Sequence, residues 1–219
     1  IVVNNQTVSR GGVGGSGWPL NEETATGTYD GQDGGGAGGG ENRDRSGNGG
    51  FGGGGGGGSW QSSVTDCGKG GFGGGSGGLS SVSTNPGGEF GGAAVNDAGG
   101  GGAGLGGAIF VREGGTLFLD RCAFTKNAAL GGNGGNCSLW FSSLTPTASL
   151  GQSKGGAIFV MNNAIAKVRN CTFSGNAAAN STGSEGFAYY MLSDTPDVYG
   201  VIHDLSDGDI GAFPSADAT

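Results

Sequence analysis

The sequence is poor in basic residues and has no long apolar run. Its 219 residues include ten Lys and Arg against 18 Asp and Glu, which gives a net charge of −8. Because no Lys/Arg cluster occurs, the sequence predicts neither nucleic-acid binding nor attachment to an anionic membrane. No apolar stretch approaches the roughly 18 residues that a membrane-spanning helix needs, so we expect no transmembrane segment.

Residues that would form a catalytic site are also scarce. His203 is the only histidine, and neither a Ser–His–Asp arrangement nor a pair of metal-binding histidines can be built around it. The glycine runs do not match a phosphate-binding loop, since no lysine motif or strand–glycine–helix pattern accompanies them. A polysaccharide lyase would need carboxylates or bases clustered on one face, which the sequence does not show. We therefore expect no enzymatic activity.

Cysteines and prolines are few. The four cysteines, Cys67, Cys122, Cys137 and Cys171, form no CxxC pair, which argues against zinc and thioredoxin-type sites. Cys67 and Cys137 both lie in irregular segments and are the better candidates for a disulfide. Cys122 and Cys171 are predicted to be neighbours, either as a disulfide or as stacked free thiols. The five prolines and the lack of a strict three-residue glycine period exclude collagen.

An internal repeat is the clearest pattern that is present. "GGAIFVREGGTLFLDRCAFTKNAA" begins at Gly106, and "GGAIFVMNNAIAKVRNCTFSGNAA" begins at Gly155, 49 residues later without a gap. We call residues 106–129 the first copy and residues 155–178 the second copy. A repeat of this size is typical of a solenoid.

Short strands are predicted within each copy. Apolar residues alternate, and the period of two slips once in each copy, as expected where a strand bends around a corner. The predicted inward residues are Leu117, Leu119, Cys122 and Phe124 in the first copy, and Ile165, Val168, Cys171 and Phe173 in the second. Asn127 and Asn176 should form an amide ladder at a turn. The paired glycines Gly106, Gly107, Gly155 and Gly156 should be structural.

The motif "GGAI…FxxN" resembles the repeat of chlamydial polymorphic outer membrane proteins. The longer form "GGAIFV…NCTFSGNAA" is similar to repeats of large secreted β-helix proteins of cyanobacteria and other bacteria. The resemblance covers residues 99–179. It implies an all-β fold, a right-handed parallel β-helix on the bacterial cell surface or in a secreted fibre or adhesin, and it indicates no ligand.

Residues 11–105 form a glycine-rich region that contains the unbroken run Gly52–Gly58. Phe51, Phe72, Phe90 and Leu105 recur at spacings of 21, 18 and 15 residues, near the length of a solenoid turn, and could anchor irregular turns or loops. Extended glycine segments adopt the polyproline-II conformation, in which backbone amides point sideways and could pair between helices. By composition alone the region resembles the snow flea antifreeze protein. Polyglycine-II packing and irregular loops over the solenoid both remain open.

The expected organisation has four parts. Residues 1–10 form an N-terminal strand, residues 11–105 the glycine-rich region, residues 106–179 the β-helix with a loop insertion at 131–154, and residues 180–219 an acidic, turn-rich segment or cap. In the last part, Asp204, Asp207 and Asp209 lie in "DLSDGD". Carboxylates on loops suit Ca²⁺, so these residues are a candidate calcium site. No other cofactor is expected.

Together these features predict an extracellular structural or adhesive protein, a subunit or segment of a bacterial surface fibre that acts by self-assembly. Its expected partners are copies of itself or neighbouring segments, and surface polysaccharide. The alternative is an ice- or polysaccharide-binding β-helix module.

Overall fold

The computed structural model describes residues 2–4, 8–10, 47–57, 67–78, 84–96, 98–136, 147–184 and 192–205. These residues form two compact units. The repeat unit lies within residues 1–9, 105–130 and 153–219, and the glycine unit lies within residues 10–104 and 131–152. Throughout the described part of the chain, regular structure is β-strand only, so the fold is all-β.

The strands are short. In chain order they are β1 (Val2–Asn4), β2 (Val8–Arg10), β3 (Gly104–Leu105), β4 (Ile109–Val111), β5 (Thr116–Asp120), β6 (Ala123–Thr125), β7 (Ala128–Leu130), β8 (Ser153–Lys154), β9 (Ile158–Val160), β10 (Ile165–Arg169), β11 (Thr172–Ser174), β12 (Ala177–Ala178), β13 (Leu192–Asp194) and β14 (Val198–Asp204).

The two copies pair strand by strand, in parallel. β4 pairs with β9, β5 with β10, β6 with β11, and β7 with β12. In all four pairs a residue lies opposite the residue 49 positions later, as Ile109 lies opposite Ile158 and Phe124 opposite Phe173. The offset between the two sequence copies is therefore also the register of the sheets.

Further strands extend these sheets on both sides. β1 pairs in parallel with β6, so that Val3 lies opposite Phe124, and β2 adjoins β7. On the opposite side, the long strand β14 pairs in parallel with both β9 and β10. β13 runs antiparallel to β14 and pairs with its residues 199–201. β3 and β8 form a separate two-stranded sheet.

Corners separate the strands at equivalent places in the two copies. Each corner contains a residue with positive φ, in the left-handed region that L-residues seldom adopt. The equivalent residues are Gly106 and Gly155, Gly114 and Asn163, Arg121 and Asn170, and Lys126 and Gly175. Arg121 and Asn170 lie where the alternation of apolar residues slips, so the slip marks a true corner.

The core of the repeat unit lies between these sheets. Phe124, Ile158 and Ala166 are fully buried there. The expectation that Ile165 faces inward is wrong, because Ile165 is 41% exposed. Ile165 lies opposite the exposed Thr116, whereas Ala166 lies opposite the inward Leu117.

The described part of the glycine unit contains three equivalent hairpins of extended chain. Each turns through a backbone hydrogen bond across four residues: Gly53 N–H to Gly50 O, Gly74 N–H to Gly71 O, and Gly91 N–H to Gly88 O. Each is closed three residues further out by Gly56 N–H to Gly47 O, Gly77 N–H to Gly68 O, and Ala94 N–H to Asn85 O. These hairpins include residues 52–57 of the unbroken glycine run, while Gly58 lies outside the described residues.

Neighbouring hairpins hydrogen-bond at every third residue. Gly49, Gly52 and Gly55 donate to the carbonyls of Lys69, Phe72 and Gly75 respectively, over 2.8–3.0 Å. A polyproline-II helix has three residues per turn, whereas a β-strand has a period of two. The hydrogen bonds therefore recur at an interval of three residues, and not at the two-residue interval of a β-ladder.

Other segments join the same unit with the same spacing. Gly132 and Gly135 donate to Gly102 and Gly99, and Ala148 and Gly151 donate to Gly135 and Gly132. Residues 131–136 and 147–152, which the sequence analysis assigned to a loop leaving the solenoid, thus hydrogen-bond within the glycine unit.

Candidate functional site

The asparagine pair is connected by its own side chains. Asn176 Oδ1 accepts from the backbone N–H of Asn127 and from Asn127 Nδ2, both over 2.9 Å. Asn176 Nδ2 donates to the carbonyl of Phe124 and to Asp197 Oδ1. Both amides are buried. The ladder therefore continues past the two copies to a carboxylate that precedes β14.

Aromatic rings stack along the same direction. Phe124 and Phe173 have ring centroids 5.1 Å apart. A second stack contains three rings, with Phe159 between Phe110 at 5.1 Å and Tyr199 at 4.8 Å. Such contacts contribute beyond the burial of apolar area.

A third aromatic stack lies in the glycine unit, at the turns of the hairpins. Phe51 and Phe72 stack in parallel at 5.1 Å, and Phe72 meets Phe90 edge-on at 5.6 Å. Phe51 and Phe72 occupy the second residue of their turns, whereas Phe90 occupies the third. The shifted position accounts for the edge-on contact. Leu105 lies instead in β3.

The paired glycines are required by close approach of backbone. A Cβ at Gly106 or Gly155 would overlap the carbonyl oxygen of Ile109 or Ile158, at a position where φ is already positive. A Cβ at Gly107 would overlap the carbonyl of Gly156, and the N–H of Gly156 donates to the carbonyl of Pro196.

Cys122 and Cys171 are stacked free thiols. The Cys122 N–H donates to Cys171 Sγ over 3.4 Å, and Cys171 Sγ approaches the carbonyls of Arg169 and Leu119. Burial raises the pKa of the Cys171 thiol above its ordinary value of 9.0. Cys67 is buried in the glycine unit, and Cys137 lies outside the described residues, so their pairing remains a prediction.

The candidate calcium site is described only at Asp204. This residue is exposed at the end of β14, and Asp207 and Asp209 lie outside the described residues. Within the part of the chain that the structure covers, no group of three or more His, Cys, Asp or Glu could hold a metal ion.

The outward face of β5 and β10 carries charged and aromatic side chains. Arg169 binds Asp120 on the neighbouring strand through both carboxylate oxygens, at 3.1 and 3.0 Å, and Arg121 lies 3.1 Å from the same carboxylate. The hydrogen bond from Arg169 lowers the pKa of Asp120 below its ordinary value of 3.8. Lys167 Nζ lies 5.7 Å from the ring centroid of Phe118, a cation–π contact.

His203 lies in β14, next to this face, because β14 pairs with β10 and His203 lies opposite Lys167.

A buried ion pair joins two other strands of the repeat unit. Lys154 Nζ lies 2.6 Å from Asp194 Oδ2, and the two residues are only 7% and 6% exposed. Lys154 Nζ also donates to the carbonyl of Asn180 over 2.6 Å and lies 5.4 Å from the ring centroid of Tyr199. Asp194 lies in residues 180–219, which the sequence describes only as an acidic, turn-rich segment, and no sequence motif indicates Lys154.

The chain matches no protein-family model, and no similar curated protein or solved structure was found. None of the described residues belongs to a helix long and apolar enough to span a membrane.

Proposed function

We propose that this chain is an extracellular structural protein that assembles with copies of itself into a bacterial surface fibre. In this proposal the repeat unit is a right-handed parallel β-helix, and the glycine unit is a bundle of polyglycine-II helices. The observation that carries the proposal is the register of 49 residues, which places equal side chains above one another in consecutive layers.

The paired copies support axial assembly because, among the described strands, two of their sheets end in edge strands. The described three-stranded sheets have the orders β1-β6-β11 and β12-β7-β2, so β1 and β11 each have one strand partner among the described strands. An edge strand presents unpaired backbone groups to a further strand. In a head-to-tail assembly, the same contact repeats between successive copies and generates a filament.

The glycine unit supports the proposal in another way. A Cβ at Gly55 would overlap the carbonyl of Gly68, and a Cβ at Gly71 would overlap that of Gly50. Backbones that approach this closely, with hydrogen bonds at every third residue, are the arrangement expected of polyglycine-II helices. Such a bundle is stabilised by backbone pairing rather than by side-chain burial. It would give a fibre a rigid wall with little side-chain chemistry.

Assembly can be tested with charges on the edge strand. The side chains of Thr172 and Ser174 in β11 are exposed, and lysine on an edge strand opposes edge-to-edge pairing. We expect the wild-type chain to form elongated oligomers by sedimentation velocity and electron microscopy. The variant Thr172→Lys/Ser174→Lys should remain monomeric. A wild-type chain that stays monomeric at every concentration would contradict the proposal.

The matched control places the same changes outside the strands β1–β14, away from the edge strand β11. Thr182 and Ser184 are exposed and lie beyond the last residue of β12. Thr182→Lys/Ser184→Lys adds the same two charges to the same residue types. This variant should assemble like the wild type. Equal loss of assembly in both variants would indicate a general charge effect and not an edge contact.

Binding of an acidic polysaccharide is the second candidate function, and the charge of the repeats favours it. Of the ten basic residues, five lie within residues 105–130 and 155–180, together with two acidic ones, so this part has a charge of +3 in a chain of −8. The five are Arg112, Arg121, Lys126, Lys167 and Arg169. Lys167, Arg169 and Arg121 lie with Phe118 along one sheet face, a combination that suits a sugar ring bearing carboxylates.

Calorimetry with an acidic polysaccharide such as alginate tests this candidate. Lys167→Glu should weaken binding, and added salt should weaken it further. Lys69→Glu in the glycine unit is the control, since Lys69 is also exposed. Binding that neither substitution changes would remove this face as the ligand site.

A further inference from the structure

The buried pair Lys154–Asp194 has features that an ordinary ion pair does not explain. Both side chains are more than nine-tenths buried. Asp194 Oδ2 accepts a hydrogen bond from Lys154 Nζ over 2.6 Å. Asp194 Oδ1, by contrast, is buried without a hydrogen-bond partner among the described residues. A buried carboxylate normally has both oxygens satisfied, since removing its charge from water is costly.

The amine is held in place on several sides. Nζ donates to the carbonyl of Asn180, while the side chain of Asn180 accepts from the backbone N–H of Ser153, the residue before Lys154. The ring of Tyr199 lies 5.4 Å from Nζ. Asp194 is fixed through its backbone, which exchanges hydrogen bonds with Gly183 and Ser184. The nitrogen and the carboxyl group are therefore fixed in contact in a site without room for bulk water.

We propose that Lys154 and Asp194 form an intramolecular isopeptide bond between Nζ and Cγ. Fixing two reacting groups in contact replaces a bimolecular reaction by an intramolecular one, with a large gain in rate. The product amide is neutral, so its remaining carbonyl Oδ1 costs less to bury without a partner than a charged carboxylate does.

The reaction is a condensation. One proton first moves from the Nζ ammonium to Oδ2, which gives the amine and the acid. The amine lone pair adds to Cγ, and the Cγ–Oδ2 bond breaks. Oδ2 leaves as water, with the acid proton and one further proton from Nζ. The amide retains one N–H and the Oδ1 carbonyl, and no oxidant, reductant or activated donor is consumed.

The bond would connect β8 to β13 through two residues that are 40 positions apart in the sequence. β13 pairs only with β14 among the described strands, and the crosslink would hold this hairpin against the second copy. This inference does not depend on fibre assembly or on the polysaccharide ligand.

Intact-mass spectrometry of the purified full-length chain tests the proposal. We expect a mass lower than the sequence mass by one water. A tryptic digest should contain a branched peptide that joins the segments around Lys154 and Asp194, with no cleavage after Lys154. A chain with the full sequence mass, or a digest without the branched peptide, would overturn the proposal whatever the behaviour of any variant.

Variants separate this bond from other losses of water. Asp-Gly sequences can lose water to form a succinimide, and this chain contains them at Asp30, Asp33 and Asp207. Lys154→Arg keeps the positive charge but cannot form this amide, so it should show the full mass, and the control Lys167→Arg should keep the loss of water. Loss of water that persists in Lys154→Arg, or that disappears on treatment with hydroxylamine, would assign the change to a succinimide and overturn the proposal.

Discussion

Asn176 Oδ1 accepts two hydrogen bonds from a single residue, Asn127, one from its backbone N–H and one from its side-chain Nδ2. The two residues are 49 positions apart and occupy equivalent turns of the two copies. Asn176 thus caps the equivalent turn of the first copy, while its own Nδ2 donates to Asp197, just before β14. One amide side chain connects the two copies and the segment that leads into β14.

Removing that amide should destabilise the repeat unit. Asn176→Ala leaves the backbone N–H and Nδ2 of the buried Asn127 without their acceptor. Each buried polar group left unsatisfied costs about 1–3 kcal/mol, so we expect the free energy of unfolding to fall by about 2–4 kcal/mol. Urea denaturation measures the change. The control Asn162→Ala alters an exposed asparagine at a corner, and it should lower the free energy of unfolding by less than about 0.5 kcal/mol. Equal losses in the two variants would contradict the ladder.

Two glycines of the unbroken run should respond oppositely to alanine. A Cβ at Gly55 would overlap the backbone of Gly68 and Lys69, whereas among the described residues the nearest atom to a Cβ at Gly57 is the Gly78 oxygen at 3.6 Å, an ordinary contact. Gly55→Ala should therefore lower the free energy of unfolding by about 1–3 kcal/mol. Gly57→Ala should change it by about +0.4 to +1 kcal/mol, because alanine reduces the freedom of the unfolded chain.

Thermal or urea unfolding of both variants measures this difference. Similar effects of the two substitutions would mean that the run is not held by close backbone contact.

The pair Asp120–Arg169 should make stability depend on pH in the acid range. The hydrogen bond from Arg169 lowers the pKa of Asp120 in the folded state below 3.8. A lowered carboxyl pKa stabilises the fold above the unfolded pKa, and that contribution is lost as the pH falls through the folded pKa. The difference in unfolding free energy between the wild type and Asp120→Asn should thus be constant at neutral pH and shrink below about pH 4.

NMR titration of the Asp120 carboxyl group measures the pKa directly. Arg169→Met should raise it toward the ordinary value, whereas Lys126→Gln, at a different corner, should leave it unchanged. A carboxyl pKa that Arg169→Met does not alter would contradict this assignment.

The thiol of Cys171 should react slowly with alkylating agents. Burial raises its pKa, so at neutral pH it is a protonated thiol, which is a poor nucleophile. In native protein at pH 8, the Cys171 peptide should be labelled by iodoacetamide about tenfold or more slowly than in urea. Peptide mapping by mass spectrometry measures both rates. Equal rates would show that the thiol is accessible and ionised in the folded state.

Much of the repeat unit could be predicted from the sequence because two long copies align without a gap. The alignment gives the strand pairs, the stacked rings and the asparagine pair, since in-register parallel strands bring equal positions together. The assignment of inward residues failed at one position, although the register of 49 holds there. Ile165 is apolar and large, but it lies opposite the exposed Thr116 and faces outward, while the smaller Ala166 fills the core.

The glycine unit and the buried ion pair were less predictable. Glycine carries no side chain whose periodicity would indicate hydrogen bonds at every third residue, so only the phenylalanines at the turns marked the hairpins. Lys154 and Asp194 meet because β13 folds back antiparallel on β14, and no local pattern around either residue indicates that pairing.

The three hairpins at residues 47–56, 68–77 and 85–94 make the same hydrogen bonds, yet they follow one another at intervals of 21 and then 17 residues. The stretches between them differ in length and composition without altering the equivalent bonds. Duplication or deletion of one hairpin together with its connection would therefore leave the remaining contacts intact. A gene that encodes such an array can lengthen or shorten its product by recombination, and related strains should carry versions with different numbers of hairpins.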